Sequence, residues 1–301
     1  MSAIVVSGLG MRYGRRVALQ DCSLEIATGS VTALVGPNGA GKTTLLLLAA
    51  GLLVPTSGTV TVLDSTPHED SGLIAKIGFV AQDIPLYGSF TVAETLRFGQ
   101  KMNHRWDQKL AQRRLEKLQI PLSQRIRELS GGQRAQVSLA LALGKRPDLL
   151  LLDEPLASLD PLARRDFMRV VMETAADSKI TIVLSSHLVA DLERMCDHLV
   201  MLSSSRTQVV GEISALLGSH RVLVGPHCHS EQPDIAGVAA IVERTDSERQ
   251  TSLVVQTDGP ILDPKWTSSP VTLEDLVLAY LARPSATSLP VPRVIVKVAP
   301  S

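Results

Sequence analysis

Apolar residues first come in short runs at 4–6, 24–26 and 31–35, each bounded by Gly, Ser, Asp or Thr, which is the pattern of β-strands. The third run leads straight into a glycine-rich loop. From Lys42 onward the helix formers of TTLLLLAAGLL end near Gly51, so strand, loop and helix follow one another. The run 45–54 is about half the length needed to span a bilayer and is broken by Gly51. It predicts a buried helix. Between about 83 and 146 the chain turns helical and charged, with a Thr91-x-x-Glu94 capping box and apolar Leu110, Leu115 and Leu118 over 107–118. This predicts a helical insertion. The four leucines at 149–152 form a fully apolar strand, Asp160-Pro161 opens a helix running to about 176, and 180–185 is a second buried strand. Alternation of strand and helix predicts an α/β fold with a mainly parallel sheet.

Beyond 218 the pattern changes to β-like pieces at 222–224, 237–242 and 252–256 and one final helix. That helix carries Thr272-Leu273-Glu274-Asp275 as a capping box and a stripe of Leu273, Leu276, Val277, Tyr280 and Leu281. The division is therefore a main domain over 1–217, a C-terminal extension over 218–283 and a flexible tail over 284–301. No internal repeat is visible.

Composition narrows the function. Lys and Arg total 30 and Asp and Glu total 30, so no bulk charge favours nucleic acid or anionic lipid. Any phosphate must be held locally. Cys22, Cys196 and Cys228 are odd in number and lack CxxC spacing, which argues against a disulfide framework or structural zinc and fits a reducing cytosol. His227-Cys228-His229 has no second ligand pair and reads as an exposed loop. The amino-terminal segment has no long apolar core, so it does not read as a signal peptide, and a cytoplasmic protein is expected.

Two motifs carry chemistry. Gly36-Pro37-Asn38-Gly39-Ala40-Gly41-Lys42-Thr43 matches GxxxxGK[ST] between an apolar strand and a helix, the context that a phosphate cradle needs. Its glycines let successive N–H groups and the helix N-terminus face phosphate oxygens, Lys42 adds a positive charge, Thr43 offers a hydroxyl to Mg²⁺, and Thr44 adds a phosphate contact. The second motif is the leucine strand ending in Asp153-Glu154, where packing alone gives two acids no reason to be. Strand carboxyl ends are where ligands bind in open α/β sheets. Asp153 is placed to hold Mg²⁺, and Glu154 to accept a proton from water attacking a γ-phosphate.

Many nucleotide hydrolases share those two features, and a third separates them. Leu129-Ser130-Gly131-Gly132-Gln133, followed by a helical run, closely resembles the signature of ATP-binding cassette (ABC) proteins. The resemblance covers roughly 3–217 with the motifs in the family's order. It implies a P-loop NTPase core with a mainly parallel sheet, an antiparallel β subdomain, a helical signature insertion and, more weakly, the C-terminal extension of bacterial exporter-type cassettes. It further implies that Ser130, Gly131, Gly132 and Gln133 serve the phosphate of a facing cassette, so that two cassettes sandwich two ATP molecules. Other positions match one by one. Tyr13 resembles the aromatic that stacks on adenine, and Gln82 the glutamine that touches Mg²⁺ or the attacking water. Ser158-Leu159-Asp160 is similar to the loop that crosses the dimer interface. His187, 33 residues after Glu154, resembles the histidine that contacts the γ-phosphate. Ala135, Gln136 and Leu141 depart from the Gln or Arg that many relatives carry in the signature helix, without touching the phosphate-facing residues.

The expected function is an ATP-hydrolysing subunit that drives transport, in the direction of export, through a separate transmembrane permease that holds it at the inner face of the membrane. A soluble ABC ATPase acting on ribosomes or DNA fits poorly: Lys42 and Ser130 are only 88 residues apart, leaving no room for a long coiled coil, and there is no basic arm. A non-hydrolysing scaffold is disfavoured because Lys42, Asp153, Glu154 and His187 are all present.

Overall fold

The computed structural model describes residues 1–289 except 158, 187, 188, 190, 191, 229, 231 and 232. β1 (Ser2–Tyr13) and β2 (Arg16–Ala27) form an antiparallel hairpin. β3 (Val31–Val35) passes into α1 (Lys42–Ala49), and β4 (Ser57–Val62) returns to pair with β1, giving a three-stranded sheet of order β2-β1-β4. The hairpin strands far exceed the runs expected at 4–6 and 24–26. An antiparallel sheet covered on one face tolerates polar residues on the other, so the ladder continues where the apolar signal stops.

Next come β5 (Ile77–Val80), the insertion helices α2 (Val92–Met102), α3 (Gln108–Lys117) and α4 (Gly131–Gly144), then β6 (Leu149–Leu152), α5 (Pro161–Ser178) and β7 (Thr181–Ser186). β8 (His198–Ser203), β9 (Arg206–Glu212) and the short α6 (Ile213–Gly218) complete this part. A six-stranded sheet runs β5-β6-β7-β3-β8-β9, parallel except where β9 turns back on β8. The expected parallel core, antiparallel subdomain and helical insertion are all present.

Local signals set the helix ends. Thr91 and Glu94 form the capping box of α2, and Asp107 caps α3. α1 ends where Gly51 adopts φ +72°, with its N–H on Leu48 O and that of Leu52 on Leu47 O. The apolar run 45–54 is thus helical and buried only in its first half; Leu52 and Val54 are exposed at 59% and 60%. Among the described residues no helix is long and apolar enough to cross a membrane.

The extension contains β10 (His220–Pro226), β11 (Val238–Asp246), β12 (Gln250–Thr257) and β13 (Thr267–Pro270) in an antiparallel sheet of order β11-β12-β10-β13, followed by α7 (Leu273–Ala282). Period-two alternation divides its apolar residues. Leu223, Leu253 and Val255 form a small core with Ile235, whereas Val222 and Val254 pack toward α7. Leu273, Leu276, Val277 and Tyr280 then join the same core as Phe167 and Met168 of α5. Thr272 accepts from the Asp275 N–H, but the Leu273 N–H is taken by Glu193, so α7 is capped partly by the cassette. Residues 284–289, expected to begin a flexible tail, instead run beside β9, where Ser288 exchanges backbone hydrogen bonds with Gln208 and Val210. The rest of the expected tail lies outside the described residues.

His220 ties this junction together. Its Nδ1 lies 2.7 Å from Leu216 O and its Nε2 2.9 Å from Tyr280 Oη, so the ring serves as neutral donor and acceptor. Burial pushes its pKa below the ordinary 6.5. The unfolded chain therefore takes up a proton at pH values where the folded protein does not, and stability falls as pH drops from about 6.5 toward the lower folded value. Urea unfolding at pH 7.5 and 5.5 should show this loss in the wild type, and a smaller loss in His220→Gln.

Candidate functional site

The apolar strands β3, β6 and β7 lie side by side, so their carboxyl ends deliver polar groups to one edge of the sheet. After β3 the chain must turn sharply under Leu202 of β8. Gly36 sits at φ +151°, where a Cβ would come within 2.2 Å of Leu202 O. Gly41, the N-cap of α1, sits at φ +106°, and a Cβ there would meet Ala18 O at 2.6 Å. Both positions therefore require glycine. The turn between them wraps the N-terminus of α1, a site that favours anions.

Lys42 points back into this turn. It is 6% exposed, and its Nζ donates to Gly36 O at 2.8 Å and Pro37 O at 3.4 Å. The same ammonium lies 3.2 Å from Glu154 Oε1, whose residue is 8% exposed. Thr43 Oγ1 donates to Asp153 Oδ1 at 3.1 Å, joining loop and acidic strand end a second time. Asp153 is only 2% exposed. Ser185 of β7 links the two acids: its hydroxyl donates to Asp153 Oδ1 at 2.9 Å and accepts the Glu154 N–H at 2.7 Å. Glu154 itself has φ +45°, a left-handed conformation that a non-glycine residue holds only when its surroundings impose it.

These groups open onto a cleft of about 360 Å³ lined by Tyr13, Asn38, Gly39, Gly41, Lys42, Thr43, Thr44, Gln82 and Glu154, as the sequence predicts. Tyr13 is exposed at the tip of the β1–β2 hairpin. Pro37 and Ala40 complete the loop behind the lining, with the Ala40 N–H on Pro37 O. Arg16, Ala18 and Ala157 line the cleft as well, and sequence reasoning did not select them. Nor did it select Ser185. Two serines, Ser185 and Ser186, at the end of an otherwise apolar strand were the available signal.

The remaining predicted residues lie elsewhere. Ser130 caps α4 in a full capping box with Gln133, and the turn Ser130-Gly131-Gly132-Gln133 does not line the cleft of its own chain. It packs on α5, where a Cβ on Gly132 would meet the Ala163 Cβ at 2.9 Å. Asp160 accepts the Leu162 and Ala163 N–H groups as the N-cap of α5 and is likewise absent from the cleft lining. Ser158 and His187 lie outside the described residues.

Comparison with known proteins identifies the family. Residues 19–157 match the family model described as ABC transporter. The chain is 36% identical over 222 residues to the Fe(3+) ions import ATP-binding protein FbpC of Serratia marcescens, covering 70% of this chain and 63% of that one. It thus spans less than two thirds of that relative's length. It is 37% identical over 221 residues to the Nod factor export ATP-binding protein I of Rhizobium leguminosarum bv. viciae, covering 71% of each. A solved dimeric bacterial ABC transporter cassette superposes with a TM-score of 0.62 at 25% identity, over 70% of this chain and 98% of that one. By its likeness to the Rhizobium protein, the chain belongs to the family of ATP-binding proteins of ABC transporters.

Proposed function

We propose that this chain binds and hydrolyses MgATP as the motor of a transporter, pairing with a second cassette and acting on a separate membrane-spanning subunit. The observation that carries the reading is the convergence of Lys42, Thr43 and Glu154 on one cleft, with Lys42 3.2 Å from Glu154 and with Asp153 behind the lining, 3.1 Å from the Thr43 hydroxyl. The donors fit the metal: Thr43 Oγ1 and Asp153 Oδ1 are hard oxygen ligands of the kind that Mg²⁺ selects, and Gln82 lines the same cleft. Bound Mg²⁺ would supply neutralisation of phosphate charge. Lys42 and the loop amides bind and orient the phosphates, Tyr13 offers a stacking face for the base, and Glu154 takes the proton from the attacking water. His187 is proposed to orient that water.

The signature turn supports pairing. It caps α4 away from its own cleft, so its service to phosphate requires the cleft of another cassette, as in a two-fold sandwich with Ser158-Leu159-Asp160 crossing the interface. The membrane partner is supported by a groove of about 320 Å³ in the helical insertion. Tyr87, Phe90 and Phe98 cluster there with ring centroids 5.2 to 6.3 Å apart, and Met102 adds a further exposed apolar side chain. Exposed aromatic clusters of this kind mark protein contacts. A short helix of the permease would seat in it and hold the chain at the inner membrane face. The two relatives are named for opposite directions of transport, so the proposal of export rests on the extension at 218–283 alone.

Three outcomes test the reading. Glu154→Gln should bind ATP while turnover falls at least about a hundredfold, with an ATP-dependent dimer accumulating on gel filtration. Turnover at the wild-type rate would remove Glu154 as the base. Lys42→Ala should raise the Kd for ATP about tenfold or more in an equilibrium titration, since it removes a charged contact to phosphate. Phe98→Asp should abolish co-purification with a membrane subunit and leave ATP affinity unchanged; retention of the partner would remove the groove from the interface.

A further inference from the structure

Given the reading of the cleft as a nucleotide site, we infer that Arg16 is a second phosphate-binding cation, gripping the phosphate chain from the side of the β1–β2 hairpin. Arg16 begins β2 and pairs directly with Tyr13 across the Gly14-Arg15 turn. Residues directly opposite in an antiparallel pair project from the same face, and both side chains line the cleft. Its guanidinium reaches over the phosphate loop: Nη2 lies 3.4 Å from the place a Cβ on Gly39 would occupy. A side chain at Gly39, which has φ +82°, would press on this group.

What Arg16 does there follows from its partners. Among the described residues its side chain makes no ion pair and no hydrogen bond, either to a carboxylate or to a loop carbonyl. Lys42, the other cation of the cleft, is engaged with Glu154, Gly36 O and Pro37 O. The described acid that lines the cleft, Glu154, is on Lys42 and not on Arg16. An unpaired planar fork of N–H donors beside a glycine-rich anion cradle is built to take phosphate oxygens. A structural role for Arg16 would need a protein acceptor, and none is in place among the described residues. Arg15, its neighbour in the turn, is equally charged and does not line the cleft, so net charge in the hairpin does not explain the placement.

The test separates phosphate from base. The full chain is titrated with MgATP and with magnesium tripolyphosphate, which has neither base nor ribose. Because Arg16 is exposed, Arg16→Ala should fold normally and weaken both ligands about tenfold, by a similar factor. Arg16→Lys should recover part of the loss, Arg15→Ala should change neither affinity, and the Arg16 effect should shrink as salt is raised. Weakening of ATP alone would place Arg16 on the base or ribose and overturn the assignment. Unchanged affinity for both ligands would do the same. A wild-type chain that binds neither ligand would sink the nucleotide reading itself, and Arg16 with it.

Discussion

An ammonium and two carboxylates withdrawn from water set the terms for the rest of this structure. Removing such ions from solvent costs several kcal/mol each unless partners and hydrogen bonds compensate, and breaking one member strands the others. Lys42 therefore needs the loop to curl until Gly36 and Pro37 carbonyls face it, which drives Gly36 into a conformation and a space that admit no side chain. Asp153 needs donors at the end of an all-leucine strand, and Thr43 and Ser185 provide them, while the Glu154 carboxylate lies on the Lys42 ammonium and its N–H on Ser185. In the proposed reaction the triphosphate brings competing negative charge to the same ammonium. Lys42 then exchanges one anionic partner for another, and Glu154 is released toward the water it must deprotonate.

How much of this could be read in advance depended on whether a residue's reason lay in its neighbours along the chain. The phosphate loop was legible because backbone geometry demands Gly36, Gly39 and Gly41 at fixed offsets. Asp153 and Glu154 were legible because acids after four leucines have no packing role. A capping pair such as Thr91 with Glu94 is three residues apart and needs no tertiary knowledge. Ser185 and Arg16 were missed for the opposite reason: Ser185 is explained by Asp153, 32 residues away, and Arg16 by its place over Gly39, 23 residues away. Strand length in the hairpin was underestimated because ladder pairing does not stop at polar residues on a solvated face. The run 45–54 was over-read because a Schellman turn at Gly51 leaves Leu52 and Val54 outside the helix it seemed to extend.

The C-terminal extension shows the same dependence on distant partners. Its sheet alternates as sequence suggests, but the face covered by α7 is continuous with the cassette core through Phe167, Val209 and Leu216. Gln208, buried in β9, donates through Nε2 to carbonyls of Tyr280, Arg283 and Ala286, which explains why the chain after α7 lies along that strand. Tyr280 also holds the ring of His220, so a single residue satisfies groups from both sides of the nominal boundary at 218. Cutting there would expose apolar area and orphan buried donors at once. The extension differs from the cassette in its sequence pattern but shares its core.

The same economy links the two faces that the proposed function needs. β5 lies at the edge of the parallel sheet and ends at Val80. Immediately after it, Ala81 lines the aromatic groove and Gln82 lines the nucleotide cleft. One peptide unit separates the two sites. Asp153 is held from the same place, because its N–H donates to Val80 O. Were the proposed nucleotide to displace Gln82, the close-packed strand behind it would leave this short segment, and with it the groove, as the side able to yield. In the proposed function, coupling between nucleotide and membrane partner would need no long pathway, because Ala81 and Gln82 are neighbours at one strand end and line one site each.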